Sequence, residues 1–374
     1  GLLAMLGVRR WIPESRDEHA DRRWDFPGNL TLSIGLAALV FATIEGNTYG
    51  WWAQRADFLA GTALAWPAGW VSVIPVAYTL AVVLLTSFVR IERARVASGR
   101  SVLVDFTLYK IASFRHGNFA AMIVSLGEFG IVFVLPLFLQ TVLGYSAWQT
   151  GLLLLALSGG AFLAGGSAMH LTRRFSARRV VSAGLLFEAV AIASLGAVIS
   201  NSVTWHTMAP LLFIYGIGVG LATAQLTSVV LGDVPIAQSG QASGIQSTSR
   251  QMGAALGIAI LGTVFVVGVQ QQSSRRLDAV PGLSAARQTS IVRTIERSGG
   301  AIKPQYGKDA AGRRAHQAIN ESIVIAARTT GYVASLFVLL GFLASLRLPA
   351  PVAQPKHDRV AAAMVAEPVD VGAG

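Results

Sequence analysis

Long apolar stretches with almost no charge recur along this chain, separated by shorter segments that collect its arginines. Eight of them predict helices, at residues 26–46, 68–89, 118–142, 148–171, 180–200, 207–231, 243–269 and 324–346. The run from Trp70 to Val89 (WVSVIPVAYTLAVVLLTSFV) contains no Asp, Glu, Lys or Arg. About 20 helical residues cross the roughly 30 Å hydrocarbon layer of a bilayer, and a helix satisfies its own backbone groups there. All eight tryptophans lie outside these runs or at their edges, where an indole sits at the headgroup level. The pattern therefore predicts an all-α integral membrane protein.

Charge sets the orientation. Lys and Arg number five in residues 8–25, one in 47–67, six in 90–117 and four in 172–179. The segments 143–147, 201–206 and 232–242 carry none. The rich segments are expected on the cytoplasmic side, by the positive-inside rule. Residues 270–322 carry nine and run against the alternation; parity still places them outside, as a polar external loop, because long loops translocate with less regard for charge. Within that loop Ile291, Val292 and Ile295 are expected on a short surface helix. A net charge of +11 is thus explained by loops between spans and gives no reason to expect a nucleic-acid partner.

The spans divide as two plus six. Residues 26–89 hold a pair joined by a Trp-rich loop, residues 90–117 form a basic cytoplasmic linker, and residues 118–347 hold six spans. Gly1 to Val8 (GLLAMLGV) is too short to cross and reads as the last turns of a helix, leading into a cytoplasmic stretch to residue 25. The Ala-, Pro- and Val-rich residues 348–374 are expected to be a disordered cytoplasmic tail.

Four segments carry a resemblance: EGNTYGW (Glu45 to Trp51), LVDFTLYKIASFRHGNF (Leu103 to Phe119), LPLFLQTVLGYSAWQTG (Leu135 to Gly151) and SGQASGIQSTSRQMGAALGIAILGT (Ser239 to Thr263). In this order and spacing they resemble the C-terminal three-fifths of the fourteen-span drug:proton antiporter branch of the major facilitator superfamily. The resemblance implies a major-facilitator helical bundle in a bacterial inner membrane, with two extra helices ahead of the C-terminal half. It also implies efflux of drugs or small amphipathic, cationic compounds by alternating access. The proton gradient is then the energy source and no cofactor is expected. An N-terminal half would lie before Gly1, and one half is not expected to transport by itself. The loop HLTRRFSARR (His170 to Arg179) occupies the place of a family turn of Gly-x-x-x-Asp-Arg-x-Gly type. Arg173 replaces the acidic residue and Ser176 the glycine, leaving Arg173, Arg174 and Arg178 to act as a basic cytoplasmic loop.

Ionisable groups within apolar spans are costly and point to function. Glu128, near the middle of its span, is a candidate to bind a proton and a cationic substrate in turn. Glu188 invites the same argument with no family motif around it. Glu45 stands at the outer end of the first span and matches the family's Glu-Gly signature. Arg250, beside Gln251, is expected either to snorkel or to pair with a carboxylate; Asp233, ending the preceding span, makes an Arg250–Asp233 latch a specific expectation. Pro136 removes a helical hydrogen bond and is expected to kink its span. Gln140 is the polar neighbour expected to face a cavity, while Phe138 and Tyr145 are expected to pack. The glycine pairs Gly216/Gly220 and Gly253/Gly257, with GGAFLAGG at Gly159 to Gly166, are expected to allow close helix approach.

Other classes find little support in these residues. No cysteine is present, which excludes thiolate catalysis and cysteine metal sites, and the six histidines are scattered without metal-ligand spacing. Neither a metal nor an enzymatic activity is expected. A non-transporting membrane interaction subunit, derived from a broken transporter gene, is the alternative from another class.

Overall fold

In the computed structural model the described residues are 2–11, 25–59, 65–100, 102–298 and 306–347. They form ten α-helices: α1 (Leu2–Trp11), α2 (Phe26–Tyr49), α3 (Val73–Ala97), α4 (Ala112–Thr141), α5 (Ala147–Arg174), α6 (Ala177–Val198), α7 (Trp205–Leu231), α8 (Ser239–Asp278), α9 (Ala285–Ser298) and α10 (Ala310–Ser345). Eight of these, all but α1 and α9, are long and apolar enough to cross a membrane. The expected tail at 348–374 and most of the linker before residue 25 lie outside the described residues.

Helix starts follow local chemistry. Asp25 caps α2 by accepting from Gly28 N, with Pro27 in the first turn, where its missing N–H costs nothing. Ser72 caps α3. At α5, Ser146 and Gln149 form a reciprocal capping box, and Asp309 caps α10.

Six helices make the main bundle. α7 packs between α5 and α6, while α4 lies against α8 and α10; α10 also touches α6 and α8. Their shared core contains Phe114, Phe138, Leu185, Ile192, Tyr215 and Phe265, each under 2% exposed. Phe138 thus packs, as its sequence context suggests. α2 and α3 pair around a separate small core of Ala42, Val73, Ile74 and Ala77, and α2 leans on α8.

Bare glycine faces set the closest approaches. A methyl group on Gly253 or Gly257 would overlap the Met122 and Leu126 carbonyls of α4, and one on Gly216 or Gly220 would overlap the Leu157 and Ala161 carbonyls of α5. In GGAFLAGG only Gly160 has this character, against Phe213 O; Gly159 and Gly166 face open space.

Two expectations are corrected. The segment 270–322 is not a polar loop: α8 continues to Asp278, α9 follows, and α10 begins at Ala310. QQQSSRRLD lowers hydropathy but holds neither Gly nor Pro, and Gln, Arg and Leu are good helix formers, so leaving the lipid does not end the helix. At 40 residues, α8 is about 60 Å long, twice the hydrocarbon thickness. Nor is α9 merely a surface helix, since Ile291 and Ile295 are 1% and 2% exposed in the main core. Arg276 on α8 pairs with Glu321 on α10 across this extension.

The described residues of the Trp-rich loop between α2 and α3 are tied to one another. Isolated bridges join Ala53 to Val71 and Phe58 to Trp66, and Trp66 Nε1 donates to Val71 O over 2.7 Å. Gln54 is 3% exposed and receives the Val73 N–H at 2.9 Å.

Candidate substrate and proton site

Four helices each bring one ionisable side chain to the same region of the bundle: Glu128 from α4, Glu188 from α6, Tyr215 from α7 and Arg250 from α8. Glu128 and Arg250 both act electrostatically on Glu188, and Arg250 acts on Glu128. Glu188 is 0% exposed, and neither carboxyl oxygen has a hydrogen-bond partner among the described residues. Its backbone lies where α7 comes closest, because Gly218 and Gly184 leave no side chain between the helices. Tyr215, 1% exposed, donates its hydroxyl to Glu128 O at 3.3 Å and so ties α7 to α4.

Beside this cluster lies a cavity of about 420 Å³ lined by Phe129, Thr227, Gln246, Arg250, Gln251 and neighbouring serines. Its wall is mixed: an aromatic ring, a cation, two amides and hydroxyls. Gln246 donates to Thr227 Oγ1 at 3.2 Å, which fixes the amide across the α7–α8 seam. A pocket of this size is in the range that holds a small molecule, and its wall is mostly polar, with Phe129 the one aromatic face.

The expected Arg250–Asp233 latch is not formed. Asp233 stands exposed after α7, and Arg250 lies within the field of the half-buried Glu128 and the buried Glu188 instead. The physical reason is depth: Arg250 is three turns into α8, level with α4 and α6 carboxyls, whereas Asp233 lies beyond the helix end. Gln251 does line the cavity, but Gln140 does not; it is exposed eleven residues beyond Phe129, about 16 Å along α4. Glu45 is half-buried on α2, apart from the four-helix cluster, and the Trp51 ring covers its neighbour Gly46. Pro136 lies within α4, which stays one continuous helix through it.

In the basic loop, Arg173 and Arg174 are exposed at the end of α5, while Arg178 donates to Leu346 O at the end of α10. Arg328 on α10 likewise donates to Ile199 O, at 2.6 Å, where α6 ends. Both are structural clamps on orphan helix-end carbonyls. Sequence reasoning missed Arg328 and Tyr215. A lone Tyr inside an apolar run beside the GIGVG glycines was the available signal for Tyr215; for Arg328, a cation within an otherwise apolar span was the signal.

A multi-pass helical bundle with a cavity between its helices and acids buried beside it defines the class of membrane transporters. Residues 27–258 match the family model described as "Major Facilitator Superfamily", and the chain belongs to that family. Among its relatives is "Multidrug resistance protein Stp" of Mycobacterium tuberculosis, 29% identical over 75% of this chain and 48% of that protein. "Multidrug efflux pump LfrA" of Mycolicibacterium smegmatis is 27% identical over 70% of this chain and 47% of its own. The "Probable actinorhodin transporter" of Streptomyces coelicolor is 26% identical over 77% and 46%. The chain spans about half the length of these curated relatives.

Proposed function

We propose that the chain serves proton-coupled export of small amphipathic, preferentially cationic compounds across a bacterial cell membrane, as one part of a transporter working by alternating access. The observation that carries this reading is Arg250: it lines the cavity and acts on both Glu128 and Glu188, two acids held on separate helices.

An ionised carboxylate without hydrogen-bond donors, as at Glu188, is costly in a low-dielectric interior and needs a proton or a cation; Glu128 stands in the same field. Arg250 supplies one positive charge for two carboxyls. A cationic substrate entering beside Phe129 and Gln251 brings a second charge, which favours release of a proton; a returning proton favours release of the substrate. Competition of this kind couples the two flows when the substrate and proton states prefer different conformations. The names of the relatives, drug resistance and efflux proteins, support the substrate class. The remaining length of those relatives supports a second unit facing the cavity in the working transporter.

The experiment is uptake of ethidium by inverted membrane vesicles bearing the protein at its full natural length, energised by an inward-acid proton gradient. Uptake is expected to collapse with an uncoupler and with Glu128→Gln, while Glu128→Asp retains part of it. Uptake that ignores the uncoupler, or persists unchanged in both Glu128→Gln and Glu188→Gln, overturns the reading.

A further inference from the structure

A second group of acids stands outside the cavity, where the two extra helices meet the linker to the main bundle. Glu92, near the end of α3, is 0% exposed, and the side chain of Asp25, the cap of α2, is 6% exposed. The two carboxyls crowd around Gly28, where a methyl group would meet both Asp25 Oδ2 and Glu92 Oε1. The two oxygens face each other across that point, and neither receives a hydrogen bond from any described residue. Two carboxylate oxygens are both acceptors, so the contact becomes a hydrogen bond only when one of them carries a proton.

The other oxygens are committed. Asp25 Oδ1 accepts from Gly28 N at 2.9 Å, while Arg95 Nε stands 3.4 Å from Asp25 Oδ2 as an ion pair. Glu92 Oε2 accepts from Val104 N at 3.2 Å, which places the linker on the acid pair. From there the linker is pinned to the start of α8: Gln241 Nε2 donates to Val102 O and Leu103 O, both at 2.9 Å, and Gln238 Nε2 donates to Asp105 Oδ2 at 3.0 Å. An unbroken set of contacts therefore runs from α2 and α3, through residues 102–105, to the helix that bears Arg250.

Among the described residues the charged groups facing the pair are few. On α2 there is Asp25, on α3 Glu92 and Arg95, and in the linker Asp105, already bonded to Gln238; Arg90 and Arg93 on α3 are exposed. Ser239 to Ser249, the first three turns of α8, carry no charge. Among the described residues one guanidinium, that of Arg95, thus faces two buried carboxyls, an arrangement that holds together with one proton between them and repels itself without it.

We propose that Asp25 and Glu92 form a proton-holding latch by which the two extra helices fix residues 102–105 against the start of α8, holding that helix while the proton is shared and freeing it when the proton leaves. This assigns the extra pair a role in gating α8 and does not depend on what the cavity carries.

The absence of native cysteine allows the test directly. Spin labels at Ser98→Cys, beyond α3, and Ala237→Cys, before α8, report the distance across the latch by pulsed electron resonance in lipid nanodiscs. The distance distribution is expected to be narrow near about pH 5 and to widen about two-fold by about pH 9, when the shared proton is lost. Glu92→Gln keeps the acceptor for Val104 N and supplies a permanent donor to Asp25, so it is expected to stay narrow throughout. Glu92→Ala removes the acceptor and is expected to be wide at every pH. A wild-type distribution that does not change with pH, or a change that persists in Glu92→Gln, overturns the proposal.

Discussion

The Tyr215 hydroxyl, 1% exposed on α7, donates to the backbone carbonyl of Glu128 on α4 across 3.3 Å. It links the packed centre of the bundle to the residue beside the cavity, on a helix whose side chain at the next position, Phe129, forms part of the wall. Tyr215→Phe keeps the ring and deletes only this link. A loss of about 0.6–1 kcal/mol in unfolding stability is expected, measured by denaturant titration in mixed micelles.

Arg250 and Asp233 separate the two arrangements open to the cation. Because Arg250 acts on Glu128 and Glu188, Arg250→Ala is expected to lower proton-driven ethidium transport roughly ten-fold or more, the size of a lost contact to a charged group. Asp233→Asn, altering an exposed residue, is expected to transport like the wild type. The vesicle assay decides both.

Close approach by glycine predicts a sharp positional contrast. Gly257→Ala sets a methyl against Leu126 backbone on α4 and is expected to cost about 1–3 kcal/mol. Gly166→Ala, with open space around it, is expected to be silent. Thermal unfolding of the purified variants gives the comparison.

The start of α10 carries a pH dependence of definite sign. The Arg287 guanidinium at 2.8 Å, and then the Gly312 N–H, hold the Asp309 carboxyl below its ordinary range. A group whose folded value is depressed contributes stability above its unfolded value, near pH 4, and loses it as pH falls through the folded one. Amide exchange in the first turn of α10 is therefore expected to speed up on acidification, and Asp309→Asn to show the fast exchange already at neutral pH.

Arg328→Ala leaves the Ile199 carbonyl at the end of α6 without its donor. The expected loss is about 1.5–3 kcal/mol, and Arg328→Lys is expected to recover part of it. Denaturant titration again serves.

Much of the architecture was legible in the residues because lipid imposes a simple rule. A stretch such as Trp70 to Val89 has no alternative in a bilayer to being helical. Helix ends outside the lipid were less legible. Hydropathy falls at Gln270, but a helix ends for want of backbone partners or good helix formers, and QQQSSRRLD supplies both. For the same reason the acids were recognisable individually and their partners were not. Arg250 is 17 positions from Asp233 and 28 from Asp278, the carboxylates nearest to it in the sequence, and only the packing of the bundle brings it near Glu128 and Glu188 while leaving Asp233 outside.

What the amino-acid order determined by itself is solvent and helicity, since each depends on local composition over one span. Which charge meets which was decided by tertiary structure: Glu92 faces Asp25 from 67 positions away because Gly28 leaves room for both, a matter of helix packing that no local window contains. Burial then gives these contacts their energetic weight, because the same carboxyls in water would have solvent for a partner.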